Sequence, residues 1–392
     1  MQVTSNHSVK RIAIIGAGHG GQALAAELAL KGHHVNLFAD KTHLGGIQAI
    51  INNGYKIRLK NKSKTSTAQL HLASTDLAKC VADVEYIFIV LPSFAHESMM
   101  MRILPFLENN QKILTLAANF SSLCYLNLIE RFHLNCDIIL GDIASLPYAC
   151  RSDNQANVEI VATKNQIEMA TIPYDLTASI CSDLKGIFPS ELIPCHSVLE
   201  LGLNITSGIS HPVNALLNAG RIGKGEKPFY FYKEGISQST IALIEKLDID
   251  RCLIGERLGF KMRPYLDLMA EFYGTRFASI ESFFKNSKAH NTLMLCPDNL
   301  QARYISQDIP FVLVPWYSLG ILAGYHSEVM QNLIQLASLL NGVDYLKTGR
   351  SLNNMQLDHL SVEILKEYAL YGKTQQSYVN FISHSMTLTN AA

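Results

Sequence analysis

Two groups of residues in this 392-residue chain have the types and spacing to do chemistry. The first is Gly16-Ala-Gly-His-Gly-Gly21, with glycines where a chain must turn tightly and bring its backbone close to a ligand. The second is a pair of distant segments, Ser207-Gly-Ile-Ser-His211-Pro212 and Arg303-Tyr-Ile-Ser-Gln-Asp308-Ile-Pro310. An imidazole can release and recover a proton at working pH. A carboxylate such as Asp308 can orient that imidazole and hold its charged form, and the Arg303 guanidinium is a ready fork for a carboxylate. Taken singly, these signals are weak. A histidine in an apolar stretch is more often packed for structure, and Arg303 with Asp308, five positions apart, equally suits a surface ion pair. Pro212 lacks an N–H, so a helix is expected to begin or kink there, leaving His211 at a break in regular backbone.

The glycines gain meaning from their surroundings. Arg11-Ile-Ala-Ile-Ile15 has the pattern of a buried strand and runs directly into them, and Gln22-Ala-Leu-Ala-Ala-Glu-Leu-Ala-Leu30 follows as a helix. Gly16 then allows the turn, and Gly18 lets backbone approach a pyrophosphate. Gly21 is the third small residue, and His19 and Gly20 complete the turn at the helix start. The free N–H groups and positive end of that helix face the phosphates. The second strand ends at Asp40, placed to bind the adenosine ribose hydroxyls and repel a 2′-phosphate, so NAD is expected. Lys41 beside it leaves NADP tolerable. Pro92, Ser93 and Phe94 end a later strand at the carboxyl edge of the sheet, where they can line the nicotinamide side or serve as an ordinary helix start.

The elements that position these groups fall into two textures. Strand-like runs are expected at Arg11–Ile15, His34–Ala39, Lys56–Leu59, Gln69–Ala73, Glu85–Leu91, Lys112–Ala117 and Asp137–Leu140. Helical patterns at Gly20–Lys31, Ala95–Leu107 and Leu123–Phe132 lie between several of them. This alternation implies right-handed crossovers and a mostly parallel sheet, the α/β Rossmann class. Asn157–Ala162 and Glu168–Ile172, joined through Lys164-Asn165, read as a hairpin adding antiparallel strands. From Cys195 onward, His196–Asn218, Ser237–Leu258, Arg263–Tyr273, Val314–Ala323 and Ser327–Leu340 carry apolar residues at helical spacing. Gly220–Ile236 reads as a loop and Ser385–Ala392 as a frayed end. Two domains are therefore expected, a nucleotide-binding unit over 1–194 and a mostly α-helical one over 195–392, which carries substrate and catalysis, with a hinge near Pro194.

Bulk properties narrow the partners. Lys plus Arg and Asp plus Glu both total 33, so no basic footprint for nucleic acid or anionic lipid is expected. The eight cysteines are scattered without a Cys-x-x-Cys pair, and His133 with Cys136 has no companion pair, so no metal site is expected. Isolated thiols suit a reducing compartment. Met1–Lys10 lacks the apolar core of a secretory signal, and no run is read as long enough to span a bilayer. A cytoplasmic protein acting on small molecules is expected, with a homodimer left open.

The chain resembles the opine dehydrogenase family, which includes the octopine and nopaline dehydrogenases. The resemblance runs nearly end to end: Gly16–Gly21, Leu37-Phe-Ala-Asp40, Pro92-Ser-Phe-Ala-His-Glu97, Leu146-Pro-Tyr-Ala-Cys-Arg151, His211-Pro212 and Arg303–Pro310 occur in the family's order. It implies reductive condensation, in which a 2-oxo acid such as pyruvate and the amino group of an amino acid form an imine that the reduced nicotinamide reduces. It further implies that His211 and Asp308 are the acid–base pair and that Arg303 holds the oxo acid's carboxylate. In octopine-forming relatives a carboxylate six residues before the cysteine matching Cys150 reads arginine's guanidinium, and an aromatic four residues before the catalytic histidine contacts it. Here those positions are Ala144 and Ser207, so arginine is not expected as the amine. Two other readings compete. One is a two-domain hydroxy acid dehydrogenase, disfavoured because the nearby lysines, Lys224, Lys227 and Lys233, sit in the glycine-rich loop. The other is a non-catalytic NAD-sensing module.

Overall fold

The computed structural model describes residues 8–224, 228–291 and 295–372. Its strands, in chain order, are β1 (Arg11–Ile15), β2 (His34–Phe38), β3 (Lys56–Asn61), β4 (Lys64–Gln69), β5 (Leu72–Ser74), β6 (Tyr86–Ile89), β7 (Lys112–Leu116), β8 (Ile139–Ile143), β9 (Tyr148–Ser152), β10 (Asn157–Thr163), β11 (Gln166–Ile172) and β12 (Glu191–Pro194). Eight of them form one sheet in the order β12-β11-β8-β7-β6-β1-β2-β5. From β5 to β8 every pairing is parallel; β11 then joins antiparallel to β8, and β12 parallel to β11. Strands such as β1 and β6 are apolar at almost every position because both faces are covered.

A second sheet, β4-β3-β10-β9, explains an oddity of the first helix. The helix His19–Leu30 is apolar nearly all round, with Gly21 to Ala26 and Leu28 buried. Such a helix needs cover on both sides. It gets β1 and β2 on one flank and the small sheet on the other, whose strands β3 and β10 alternate buried and exposed positions as one-sided strands do. Tyr148 of β9 donates its hydroxyl to Glu27 of the helix at 2.6 Å, tying the layers together.

Several expectations are corrected here. Asn157–Ala162 and Glu168–Ile172 are not a hairpin: β10 pairs with β3 and β9 in the small sheet, whereas β11 pairs with β8 and β12 in the large one. Their burial patterns diverge, one-sided against fully buried, and the Lys164-Asn165 link carries the chain from one sheet to the other. Strands β4, β9 and β12 were not anticipated, and β8 starts two residues later than expected. The helix around Pro212 begins neither at nor beside it. It spans Ser207–Leu217 with Pro212 inside it, so His211 sits within the helix, immediately before a residue that cannot donate the usual backbone bond. Gly220–Ile236 is not wholly loop, since Ala219–Lys224 is helical; residues 225–227 lie outside the described residues, as do residues 1–7 and Ser385–Ala392.

The rest of the second half is helical: Val198–Leu203, Gln238–Arg257, Tyr265–Tyr273, Val314–Leu322 and Glu328–Asn341 surround a core that includes the fully buried Trp316. Ser237 caps its helix by accepting from Thr240 N, as its position before the apolar pattern implies. Trp316 Nε1 donates to Gly202 O at 2.8 Å, and Arg251, fully buried, binds Asp248 and the Leu203 carbonyl. Arg263 reaches back to Glu168 on β11, so polar bonds as well as packing hold the halves together. Arg303–Leu322 forms a continuous helical run that, by length and composition, could cross a membrane, contrary to expectation. It is 61% buried inside the protein, as a core helix is.

Candidate active site

The glycine turn is sterically determined. Gly16 has φ +118°, and a Cβ there would lie 2.4 Å from Val90 O. A Cβ on Gly21 would lie 1.8 Å from Gly16 O, so the helix can pack this close to the turn only without a side chain. At Gly18, by contrast, a Cβ would meet nothing within 4 Å. That open space, beside a helix whose N-cap offers no side chain to its first N–H groups, fits a pyrophosphate. Gly20 faces the Leu146 side chain. His19 opens the helix and accepts from Ser152 N of β9 at 3.0 Å. Burial, then the charges of Arg151 and Arg303, lower its pKa.

Asp40 is at the end of β2 as expected, with a neighbour that sequence reading missed. Its Oδ1 accepts from Thr42 N and Thr42 Oγ1 at 2.9 and 2.6 Å, and its Oδ2 pairs with Arg102 at 2.5 Å. These bonds, those from Thr42 foremost, hold the carboxyl well below the usual carboxylate range. An Asp suits a ribose diol and an adjacent arginine suits a 2′-phosphate, so Asp40, Lys41 and Arg102 together are compatible with either cofactor.

Pro92 and Ser93 lie in a short turn after β6, with Phe94 66% exposed. Ser93 Oγ accepts from Asn119 Nδ2 at 2.9 Å, and its carbonyl accepts from Arg350. Arg350 is fully buried, forks onto Glu97 at 2.8 and 2.9 Å, and also donates to the Ala118 and Asn119 carbonyls. It thereby ties the loops at the ends of β6 and β7 to the helical half.

His211 and Asp308, 97 residues apart, meet: His211 Nδ1 lies 2.7 Å from Asp308 Oδ2. The imidazole side chain keeps 20% exposure while the carboxylate keeps 4%. Asp308 is held at its other oxygen by Ser207 Oγ, 2.9 Å away and one helical turn before His211. The chain widens into a π turn at Ile309–Leu313 directly after Asp308, the kind of helix irregularity that often marks a working site. Tyr304 and Tyr232 flank the imidazole at ring-centroid distances of 4.4 and 6.3 Å.

The structure places the other expected residues less uniformly. Arg303 is exposed at the start of its helix, and its charge acts on both His19 and the adjacent Tyr304. Ser207 has its hydroxyl committed to Asp308. Ala144 is buried at the end of β8 and offers no anion. Cys150 lies on the covered face of the small sheet, its thiol pushed up to about 11 by burial. Its neighbour Arg151, on the opposite face, joins Arg303 in acting on His19 and Tyr304 by its charge. Tyr232, His290 and Lys164 also join this cluster. None sits in a motif, so nothing in the sequence flagged them.

Comparison with known proteins agrees with this layout. Residues 11–123 match the family described as NAD-dependent glycerol-3-phosphate dehydrogenase N-terminus, and residues 194–341 match NAD/NADP octopine/nopaline dehydrogenase, alpha-helical domain. The chain is 28% identical to an opine dehydrogenase of Arthrobacter sp. (strain 1C) over 90% of its own length and 96% of that protein's. The fold is shared with octopine dehydrogenase solved with NADH and L-arginine (TM-score 0.72, 18% identity, 94% of this chain and 99% of that one). It is also shared with NADP+-bound yersinopine dehydrogenase (TM-score 0.66, 16% identity, 89% of this chain and 98% of that one). With a nucleotide-binding sheet, a helical second half of this type and a relative matched over nearly its whole length, the chain is similar to the opine dehydrogenases from end to end.

Proposed function

We propose that this protein catalyses the NAD(P)H-dependent reductive condensation of a 2-oxo acid such as pyruvate with the amino group of an amino acid, with His211 as its proton-exchanging residue. The observation that carries the residue assignment is the 2.7 Å contact between His211 Nδ1 and Asp308 Oδ2. The carboxylate fixes the tautomer and leaves Nε2 for the substrate. The reaction joins the oxo acid carbonyl and the amine with loss of water; the imine carbon then receives a hydride and its nitrogen a proton. When bound, the reduced nicotinamide supplies the hydride. His211 removes the proton from the incoming ammonium, so that the amine can attack, and later returns one. Arg303 orients the oxo acid by its carboxylate, and Tyr304 and Tyr232 wall the imidazole so that little water competes.

Ala144 and Ser207 supply no free anion for a guanidinium, so arginine is a poor amine for this enzyme. The scattered thiols are all unpaired, in keeping with a reducing cytoplasm, and a homodimer belongs to the same reading, to be settled by sedimentation. The decisive assay is oxidation of NADH or NADPH with pyruvate, with and without a panel of amino acids. Turnover that requires the amine supports the reading. Reduction of the oxo acid to a hydroxy acid at the same rate without amine would overturn it.

A further inference from the structure

A half-buried lysine in the site is left over by this mechanism. Lys164 lies in the link between β10 and β11, where the chain passes from the small sheet to the large one. Its ammonium donates to Ser145 Oγ and sits 4.2 Å from the centroid of the Phe272 ring. Ser145 belongs to the nucleotide half and Phe272 to the helical half, so Lys164 lies in the seam between them. The residue after Ser145, Leu146, packs against Gly20 at the start of the nucleotide helix. On the other side, the Lys164 charge is felt by His290, which also feels His211 and whose ring stands 4.8 Å from Tyr232. The ammonium therefore shares one electrostatic neighbourhood with His211 and lies close to the loop that covers the nucleotide turn.

What Lys164 lacks is an anion. Other shielded cations of this protein have one: Arg251 pairs with Asp248, Arg263 with Glu168 and Glu271, and Arg350 with Glu97. Among the described residues no carboxylate is within ion-pairing distance of Lys164, and the residue as a whole is intermediate in exposure. Crowding by protein pushes its pKa down to about 7. Of three ammonium donors, one is used by Ser145 and the aromatic face satisfies part of the rest. A shielded cation with an unused donor is completed by an anionic ligand. The two reactants bring two carboxylates, and Arg303 accounts for that of the oxo acid.

Building on the proposed reaction, we infer that Lys164, with Ser145 setting its position, binds a carboxylate of the amine substrate. That carboxylate is either the α-carboxylate, shared by all amino acids, or the side-chain carboxylate of an acidic one. Both are the same chemistry at the ammonium, and kinetics separates them. The same cation repels a guanidinium or ammonium side chain, adding to the case against arginine.

The test uses the full-length enzyme with pyruvate and saturating reduced cofactor, and compares L-leucine, L-glutamate and butylamine as amines. Lys164→Met raises the amino acid KM about 10- to 100-fold, the loss expected when a hydrogen bond to a charged group goes. The pyruvate KM stays within twofold, and Lys164→Arg restores much of the loss. A rise for leucine and glutamate alike, with butylamine poor for every form, assigns the α-carboxylate. A rise for glutamate alone assigns the side chain. Cofactor binding, followed by NADH fluorescence, and the melting temperature confirm that the variants are folded. An unchanged amino acid KM, or a rise in pyruvate KM instead, overturns the inference alone. A wild-type enzyme that turns over no amine overturns the reaction it rests on.

Discussion

The glycine turn and the His211–Asp308 pair are built in opposite ways. The turn is six contiguous residues that work through backbone and through the absence of side chains. The pair is two side chains from helices 97 residues apart, joined only when those helices pack. The difference predicts where damage shows. A change in the turn is steric and weakens cofactor binding; a change in the pair is chemical and slows turnover of a cofactor that still binds.

The largest expected effect is at the pair. His211→Ala lowers kcat by about 10²- to 10⁴-fold, the usual contribution of a positioned acid–base group, while NADH affinity by fluorescence titration stays within a few fold. If affinity fell in step with kcat, the two regions would not be separable in this way.

Next comes the turn itself, where two glycines should behave differently. Gly21→Ala puts a methyl 1.8 Å from Gly16 O and is expected to cost about 1–3 kcal/mol of stability as well as cofactor affinity. Gly18→Ala meets no protein atom within 4 Å, so its melting temperature should match wild type while NADH binds more weakly. Thermal melts beside binding titrations decide this. A destabilised Gly18→Ala would mean that the space there is not ligand space.

A smaller effect is expected at Ser207. Removing its bond to Asp308 in Ser207→Ala should cost about 1 kcal/mol, roughly fivefold in kcat, with the pyruvate KM little changed. A large rise in KM instead would make Ser207 a substrate contact rather than a support for the carboxylate.

The smallest test asks whether the nucleotide half hides side-chain electrostatics of its own. Asp142 on β8 is fully buried, with Oδ1 bonded by Ser122 and Oδ2 unpartnered among the described residues. Burial pushes its pKa up to about 6. The folded protein therefore binds a proton that the unfolded chain has released between about pH 4 and pH 6, so this residue makes stability fall as pH rises through that window. Asp142→Asn should flatten that part of the melting profile, and an unchanged slope would remove the assignment.

Legibility followed the same divide. Strand, glycines, helix and Asp40 lay in one stretch of chain, and each answers a local demand of backbone geometry. Arg102 beside Asp40 was not legible, because a helix after a different strand brings it there. The misread hairpin is instructive. Two strands joined by Lys164-Asn165 look like neighbours, but their burial patterns send them to different sheets, a choice made by the helix and strands waiting on each side. That same divergence puts Lys164 in the seam.

By itself, then, the sequence determined the dinucleotide turn, the α/β and helical halves, and, through a family resemblance, which histidine and aspartate are proposed as the acid–base pair. Only the tertiary structure decided that His211 lies within a helix that already began at Ser207 and that Ser207 supports Asp308. It also decided that Cys150 faces the core while Arg151 lies on the exposed face. Turns and periodicities are consequences of neighbouring residues. The partners of a charge such as Asp40 or Asp308 are set by packing between segments distant in the chain, and packing writes no local pattern.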